Sequence, residues 1–540
     1  MSLISFLLRA IHRRGPVATK QSPPANNPAQ APTPAPTPAP TPAPTPAPEL
    51  ASRLNWYRSR LTNSSDITLL QFQANDGRSC ATIYFKGLIN KSMLQSRILD
   101  PLISSESHIG MTIEDVLERH QLAIFDVAII HDLEEGLNKL LEGNILLLFD
   151  GDARTVAIPL QKIEKRAVTE PKNESVVLGP REAFIEDMDT NVTMIRRRIK
   201  SSSLKMEQFH IGTVSHTSLS IAYVEGICEQ KLLGEVKKRL SRMDVESLST
   251  SNMVEEFIED NPYSIFPQVQ YTERPDTFAA SLMEGRVGIL VDGTPVTLMV
   301  PTTFFMLMQS AEDYNQRYLF ASWIRWIRML FLLISFLLPS LYVAVTTFHP
   351  EMIPTNLLIS VAASREIVPF PAIVEALIME ITFEALREAS IRTPQPIGMT
   401  LSIIGALVIG QAAVQAGIVS APMVIIVSLT GVASFMFPNY SLGISFRVLR
   451  FPVMLLAGTL GLLGILISLY LICMHAISLR SFGTPYLTPL APLKLNDLKD
   501  SIIRTPWWRM QKKPDLYGTN SSSRMAKQTR PQIPQEDDGD

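Results

Sequence analysis

A soluble α/β region of two similar subdomains, followed by an α-helical polytopic membrane domain, is the fold class that three features of this 540-residue sequence predict. Between Glu49 and Phe320, short β-branched or apolar runs such as Ala81 to Phe85, Ile145 to Phe149 and Val287 to Val291 alternate with helical stretches such as Glu229 to Met243. Two segments of that region repeat one another. After Ser322 the chain carries apolar runs long enough for helices across a ~30 Å hydrocarbon core.

Composition narrows the function classes. The chain is 46% hydrophobic with nearly all of the excess in its second half, and its formal charge is -2. No segment holds a Lys/Arg field able to neutralise many phosphates, so nucleic acid is not an expected partner. Cys80, Cys228 and Cys473 stand far apart, which argues against a disulfide framework or a thiolate metal site and suits a reducing compartment. The eight His are scattered. There is no Walker loop, no Gly-x-Ser-x-Gly elbow and no metal-ligand cluster, so neither enzyme activity, cofactor nor metal is expected.

In chain order, residues 1–22 place an apolar run before Arg9, Arg13 and Arg14 with no small-residue cleavage site after it, unlike a secretory signal. The pattern fits a short surface helix or a frayed terminus. Residues 23–48 become repeats of Ala-Pro-Thr-Pro, which favour extended polyproline II. Roughly 25 residues at ~3.1 Å each make a stiff spacer of about 70–80 Å.

Two subdomains follow, at 49–178 and 179–321. Tyr84-Phe-Lys-Gly-Leu-Ile and Tyr223-Val-Glu-Gly-Ile-Cys each follow a strand and open a helix, whereas Gly143 to Gly151 and Gly285 to Gly293 each close the unit on Asp-Gly. Asp150-Gly151 and Asp292-Gly293 fall between apolar runs, where Gly supplies the positive φ of a hairpin. The repeated units span about 65–165 and 180–302.

The membrane domain is expected at 322–479, with about four spans: Ile327 to Thr347, Ile397 to Gly417, Ile418 to Phe437 and Phe451 to Ile477. Trp323 and Trp326 beside Arg325 and Arg328, and Trp507 and Trp508 beside Arg504 and Arg509, mark both ends as cytoplasmic, so the number of crossings is even. That leaves Arg447 and Arg450 on the far side, against the positive-inside rule. A cytoplasmic tail occupies 480–540, disordered after about 515.

Residues 356–392 interrupt the apolar runs and are expected to be re-entrant or interfacial. At 100° per residue, Glu380, Glu384 and Glu388 form one stripe with Arg387 at its edge. That stripe reads equally as a solvated face, with Glu384 pairing to Arg387, or as an ion-attracting vestibule. Glu375 lies among apolar neighbours and must pair, hydrogen-bond or become neutral. An ion pair with Arg365 is the first reading, and a place in an ion pathway the second. Gln411 and Gln415 fit helix packing or a polar path. Gly410 and Gly417 belong to a small-residue face, and Gly461, with Gly458 and Gly464, suggests close packing or a flexible segment.

Several strings together resemble one family. Phe266-Pro-Gln, Thr272-Glu-Arg-Pro-Asp276, Glu284-Gly-Arg, Asp292-Gly-Thr-Pro295 and Glu312-Asp-Tyr314 look like the end of the soluble region of spore germinant receptor A subunits. Phe383-Glu-Ala-Leu-Arg-Glu-Ala389, Pro396-Ile-Gly398, Gly405 to Ala413 and Ser481-Phe-Gly-Thr-Pro-Tyr486 resemble its membrane region. The likeness runs from about Gly179 to Pro492. It implies a subunit in the spore inner membrane, with its soluble region and tail on the cytoplasmic or core side. It also implies a transporter-like integral B subunit and a lipoprotein C subunit as partners, membrane lipid around it, and homo-oligomers forming a cation-conducting path opened by nutrients. The alternatives are a sporulation paralogue tied to dipicolinate release and a secondary transporter subunit, the latter disfavoured because the membrane block shows no repeat.

Overall fold

The computed structural model describes residues 48–75, 77–104, 127–161, 170–171, 174, 176–393, 408–495, 497–513 and 524. The expectations for residues 1–22, for nearly all of the Pro-rich spacer, for the start of the 397–417 run and for most of the tail beyond 515 lie outside the described residues.

The first subdomain is a five-stranded sheet in the order β1-β2-β4-β5-β3: β1 Ile67–Gln73, β2 Ser79–Phe85, β3 Ala128–Ile130, β4 Ile145–Phe149 and β5 Thr155–Ile158. The second runs β6-β7-β9-β10-β8: β6 Leu204–Ile211, β7 Thr217–Val224, β8 Gln270–Thr272, β9 Val287–Val291 and β10 Thr297–Val300. The two orders are the same permutation. Every neighbouring pair is antiparallel, so the alternation of strands and helices in the sequence does not produce parallel βαβ units.

Helices cover both faces of each sheet because the central strands are apolar on both sides. Leu54 and Tyr57 of α1 (Leu50–Arg60) pack with Leu137 and Leu140 of α2 (Leu133–Leu141) on one face of the first sheet. The helical stretch Lys91 to Ser104 covers the other with Leu94, Ile98 and Leu102. In the second sheet, α3 (Met188–Arg198) and α6 (Pro275–Met283) share one face, while α4 (Gln230–Leu240) and α5 (Ser251–Ile258) cover the other.

The repeated Asp-Gly pairs have a shared task. Asp150 Oδ1 accepts the N–H of Leu50 at 3.0 Å, and Gly151 donates to the Pro48 carbonyl at 3.0 Å. Asp292 Oδ1 likewise accepts the N–H of Met188 at 3.3 Å, and Gly293 donates to the Glu186 carbonyl at 2.9 Å. Each carboxylate satisfies a free N–H at the start of the helix that opens its own subdomain. Gly151 (φ 83°) and Gly293 (φ 81°) take left-handed conformations in five-residue connections (150–154 and 292–296), longer than a tight two-residue hairpin.

The subdomains meet through Ser64 and Met206, which bridge in parallel, and through Arg196, whose buried guanidinium binds Asp66 at 2.8 Å and lies over the Phe85 ring. Gly87 sits against Thr193 with no room for a Cβ. Beside this contact an open cleft of about 1140 Å³ is lined by residues of both subdomains, among them Lys86, Lys91, Arg181 and Asp189.

The C-terminal part is helical: α7 Tyr318–Phe348, α8 Thr355–Arg365, α9 Ala372–Arg392, a helix at 408–415, α10 Ala421–Ser434, α11 Tyr440–Leu460 and α12 Leu462–Ser478. Among the described residues α7 and α11 are long and apolar enough to cross a membrane, and α10 and α12 are shorter apolar helices. The run Phe451 to Ile477, expected as one span, is instead two helices. Gly461 (φ 62°) ends α11 and reverses the chain, and Gly464 lets α12 approach the Leu456 carbonyl too closely for any Cβ. With this reversal Arg447 lies in the first half of α11, whose Ser445 bonds the Ile265 carbonyl of the second subdomain, and Arg450 lies at the middle of the helix.

If the duplicated carboxylates are caps, Asp150→Ala and Asp292→Ala should each cost about 1 kcal/mol. Unfolding of the purified protein would show comparable losses at the two positions, with the Asn substitutions milder than Ala.

Candidate ion path and the joint beneath it

An ionised group among apolar helices is retained only where neighbours neutralise and hydrogen-bond it, so the acidic helix is best read through its partners. Glu375 is fully buried near the start of α9. Its Oε1 accepts from Arg365 Nε at 3.2 Å, and its Oε2 accepts from the Ser420 N–H at 3.0 Å and the Ser420 hydroxyl at 2.8 Å. The first turn of α10 is thus tied to α8 and α9 through one carboxylate.

Glu380 is buried one turn further on and binds Arg450 Nη1 at 2.5 Å, while Arg450 Nη2 donates to Ser335 of α7 at 3.3 Å. Among the described residues Glu380 Oε1 and Arg450 Nε have no partner. Glu384 is half-exposed and binds Arg447 at 2.8 Å, closer than its 3.8 Å approach to Arg387. Glu388 is exposed and pairs with Arg392 at 2.6 Å. Arg387 donates to Ser434 and lies over the rings of Phe383 and Phe435. The stripe is a ladder of carboxylates whose burial decreases from Glu380 to Glu388.

Glu380 and Glu384 therefore face α11, whereas Glu388 is exposed and pairs within α9. Sequence reasoning noted Arg447 and Arg450 only as a topological conflict and missed them as partners. Two arginines three residues apart in an apolar helix were the available signal, because such a pair needs two acids on one facing helix. Ser420, the residue before α10, gave no such signal.

Contacts along α9 show how it lies. Ile373 meets Gly458 and Glu384 meets Arg447, so α9 is antiparallel to α11; Glu375 meets Ser420 and Phe383 meets Gly431, so it is parallel to α10. At 21 residues, or about 30 Å, α9 lies lengthwise in the bundle. Gly410 packs against Val424 of α10, and Gly417 (φ 66°) turns the chain beside Ile367. Gln411 and Gln415 are exposed.

The other charged cluster is the joint with the sheets. Asp313 is buried and bound by Arg325 at 2.9 Å and Arg328 at 3.1 Å, both near the start of α7. Arg325 also holds Asp500, which accepts from the Tyr314 hydroxyl at 2.9 Å, and Ser322 bonds to Arg504 through both its backbone groups. The two Trp-bearing segments are thus neighbours, but Arg325, Arg328 and Arg504 are buried in the joint and not displayed to headgroups. Nearby, Ser481 accepts from the Thr302 N–H at 3.0 Å and donates to the Gln268 carbonyl at 2.7 Å. Phe266 packs on Phe446, His475 and Tyr486.

On α5, which borders this joint, burial and the adjacent Glu259 carboxylate push the Glu255 carboxyl up to about 8, from an ordinary 4.5. Glu259 accepts from the Gln268 N–H at 3.3 Å.

Residues 55–516 match the profile of the Bacillus/Clostridium GerA spore germination protein family. The chain is 44% identical over 473 residues to the "Uncharacterized membrane protein YfkQ" of Bacillus subtilis (strain 168), covering 86% of this chain and 91% of that protein. It is 42% identical to "Spore germination protein KA" of the same organism, covering 89% of each. A crystal structure of the N-terminal domain of the A subunit of the Bacillus megaterium spore germinant receptor GerK3 aligns with 29% identity, 48% of this chain, 98% of that chain and a TM-score of 0.39.

Two predictions arise from these geometries. Replacing Glu380 by Leu leaves Arg450 buried without its acid and should cost about 3–5 kcal/mol, whereas Glu380→Leu with Arg450→Met should recover most of it. Thermal unfolding in detergent reads both. For Glu255, the folded protein holds the proton more tightly than the unfolded chain, so stability should fall as pH rises from about 4.5 to about 8 and level off above. Glu255→Gln should flatten that slope in unfolding midpoints taken across the range.

Proposed function

Because the chain belongs to the GerA family of spore germination proteins, we propose that it is the A subunit of a nutrient-responsive germination receptor whose copies together form a cation-conducting membrane path. The observation that carries this reading is the carboxylate ladder of α9, set among apolar helices and graded from buried to exposed. Ionisable groups in such surroundings are costly and are kept where ions or protons move.

In this reading α7, α9, α10, α11 and α12 cross the membrane, while α8, at 11 residues or about 16 Å, is too short to do so. α9 crosses since it lies lengthwise against α10 and α11, and is neither re-entrant nor interfacial. α9 and α10 run the same way, so the segment around 408–415 returns between them, and the crossings are even. The sheets and the segment after α12 then share one side, the cytoplasmic or core side.

The roles of the site residues divide by their partners. Glu375 and Glu380 are neutralised within the chain by Arg365 and Arg450, which makes them positioning groups that set the register of α9. Glu384 and Glu388 remain open enough to attract cations, and exposed Gln411 and Gln415 supply hydrogen-bonding groups where copies meet. Repeated around an axis, such carboxylates form rings that raise local cation concentration. Arg387, Gly410, Gly417 and Gly461 hold the helix contacts and turns around the path. The transporter-like B subunit and lipoprotein C subunit supply nutrient recognition and assembly.

The test is reconstitution in planar bilayers under a salt gradient, with partner subunits and nutrient added. Cation-selective current is the expected result, and Glu384→Gln with Glu388→Gln should move the reversal potential toward zero without loss of assembled protein. Saturable flux coupled to a solute, or selectivity indifferent to both substitutions, contradicts the reading.

A further inference from the structure

The sheet region exposes apolar side chains beside the helix ends and away from any core. In the loop after α5, Tyr263 is 95% exposed and Ile265 is 46% exposed. That loop is fixed to the helical bundle: Ser264 Oγ lies 3.0 Å from His475 Nε2 of α12, and the Ile265 carbonyl accepts from Ser445 of α11 at 2.6 Å. A second element, the strap after Tyr486, exposes Leu490, Leu493 (62%) and Leu495 (71%). It is held by buried Tyr486 against Phe266 and by the Asp500 carbonyl, which accepts from Gln309 at 2.7 Å.

Both elements lie where α11 begins and α12 ends. Toward the same end of the bundle lie exposed Trp323 and Trp326 near the start of α7, Phe435 after α10 and Tyr440 at the start of α11. Aromatic residues gathered toward one end of an apolar helical bundle mark the headgroup boundary, where an apolar ring and a polar edge are both satisfied. Tyr263 and the three leucines continue this belt onto elements that do not cross.

We infer that the loop Pro262 to Ile265 and the strap Pro489 to Leu495 seat in the lipid interface, so that subdomain 2 rests directly on the membrane surface. The occupant is lipid and not a protein partner, because the patch is continuous with the belt and the apolar flank of α11 and α12. Side chains so placed enter about 5–10 Å into the headgroup and acyl boundary. The inference rests on the membrane-spanning reading of the helical bundle.

The experiment uses the full chain in lipid nanodiscs, with Cys473→Ser removing the exposed native thiol. An environment-sensitive fluorophore is placed singly on Tyr263→Cys, Leu493→Cys or, as a reference in mid-α12, Leu471→Cys. Lipids carrying a nitroxide near the glycerol or near the chain end act as quenchers. Stronger quenching at 263 and 493 by the shallow nitroxide, and at 471 by the deep one, is the expected result. Quenching at 471 with none at 263 and 493 overturns the inference and leaves the membrane reading standing, while labels there shielded from both lipid and aqueous quenchers would place protein on the patch and overturn it too. No quenching at 471 removes the membrane reading itself. The unsubstituted chain, treated with a photoactivatable lipid reactive at the headgroup, should yield labelled peptides containing Pro262 to Ile265 and Pro489 to Leu495. Labelling confined to the helices is again the overturning result.

Discussion

Charge without water must be answered by charge or hydrogen bonds from the same fold, and the helical region is arranged around that requirement. Glu380 meets Arg450 and Glu384 meets Arg447, one helical turn apart on each of two antiparallel helices. A one-turn slip would leave Glu380 or Arg450 buried alone, so the pairs specify the register of α9 on α11 in a way that apolar packing by itself does not. Arg450 reaches on to Ser335 and Glu375 to Ser420, which extends the register to α7 and α10. The two arrangements differ in one respect. Glu375 has both oxygens satisfied, whereas the Glu380 pair keeps an unpartnered oxygen and nitrogen among the described residues, which marks it as the less settled contact.

The same requirement shapes the joint. Asp313 serves two arginines of α7, and Asp500 brings the segment after α12 against the first of them. Sheet and bundle are therefore joined by directional bonds and by the stacked rings around Phe266, not by a plain apolar plane that would allow sliding. The strings that carried the family resemblance acquire physical roles here. Glu312-Asp-Tyr314 and Ser481 to Tyr486 build the joint, Asp292-Gly caps α3, and Arg286 of Glu284-Gly-Arg is buried among hydrogen bonds to Gln270, Ser281, Met299, Pro301 and Thr302.

Much of the soluble fold was legible because its signals are local. The strand runs, the repeated Tyr and the repeated Asp-Gly mark equivalent positions in two sheets of equal strand order. That the sheets are antiparallel was not legible, since alternation of elements does not say which strands become neighbours. In the helical region the apolar runs were plain, yet the break at Gly461 was hidden inside an uninterrupted apolar stretch. Hydropathy records transfer from water and is blind to a backbone reversal at one glycine.

By itself the sequence determined the duplicated soluble region, the apolar helical region and a helix carrying Glu380, Glu384 and Glu388 on one stripe, because these depend on composition and on a 3.6-residue period. Only the tertiary structure decided what that stripe faces. Its arginine partners lie 63 and 70 residues away, and no local pattern connects positions so distant. Which buried charge meets which is a property of packing, where the cost of an unpaired ion selects one arrangement of helices from several that the apolar residues alone would accept.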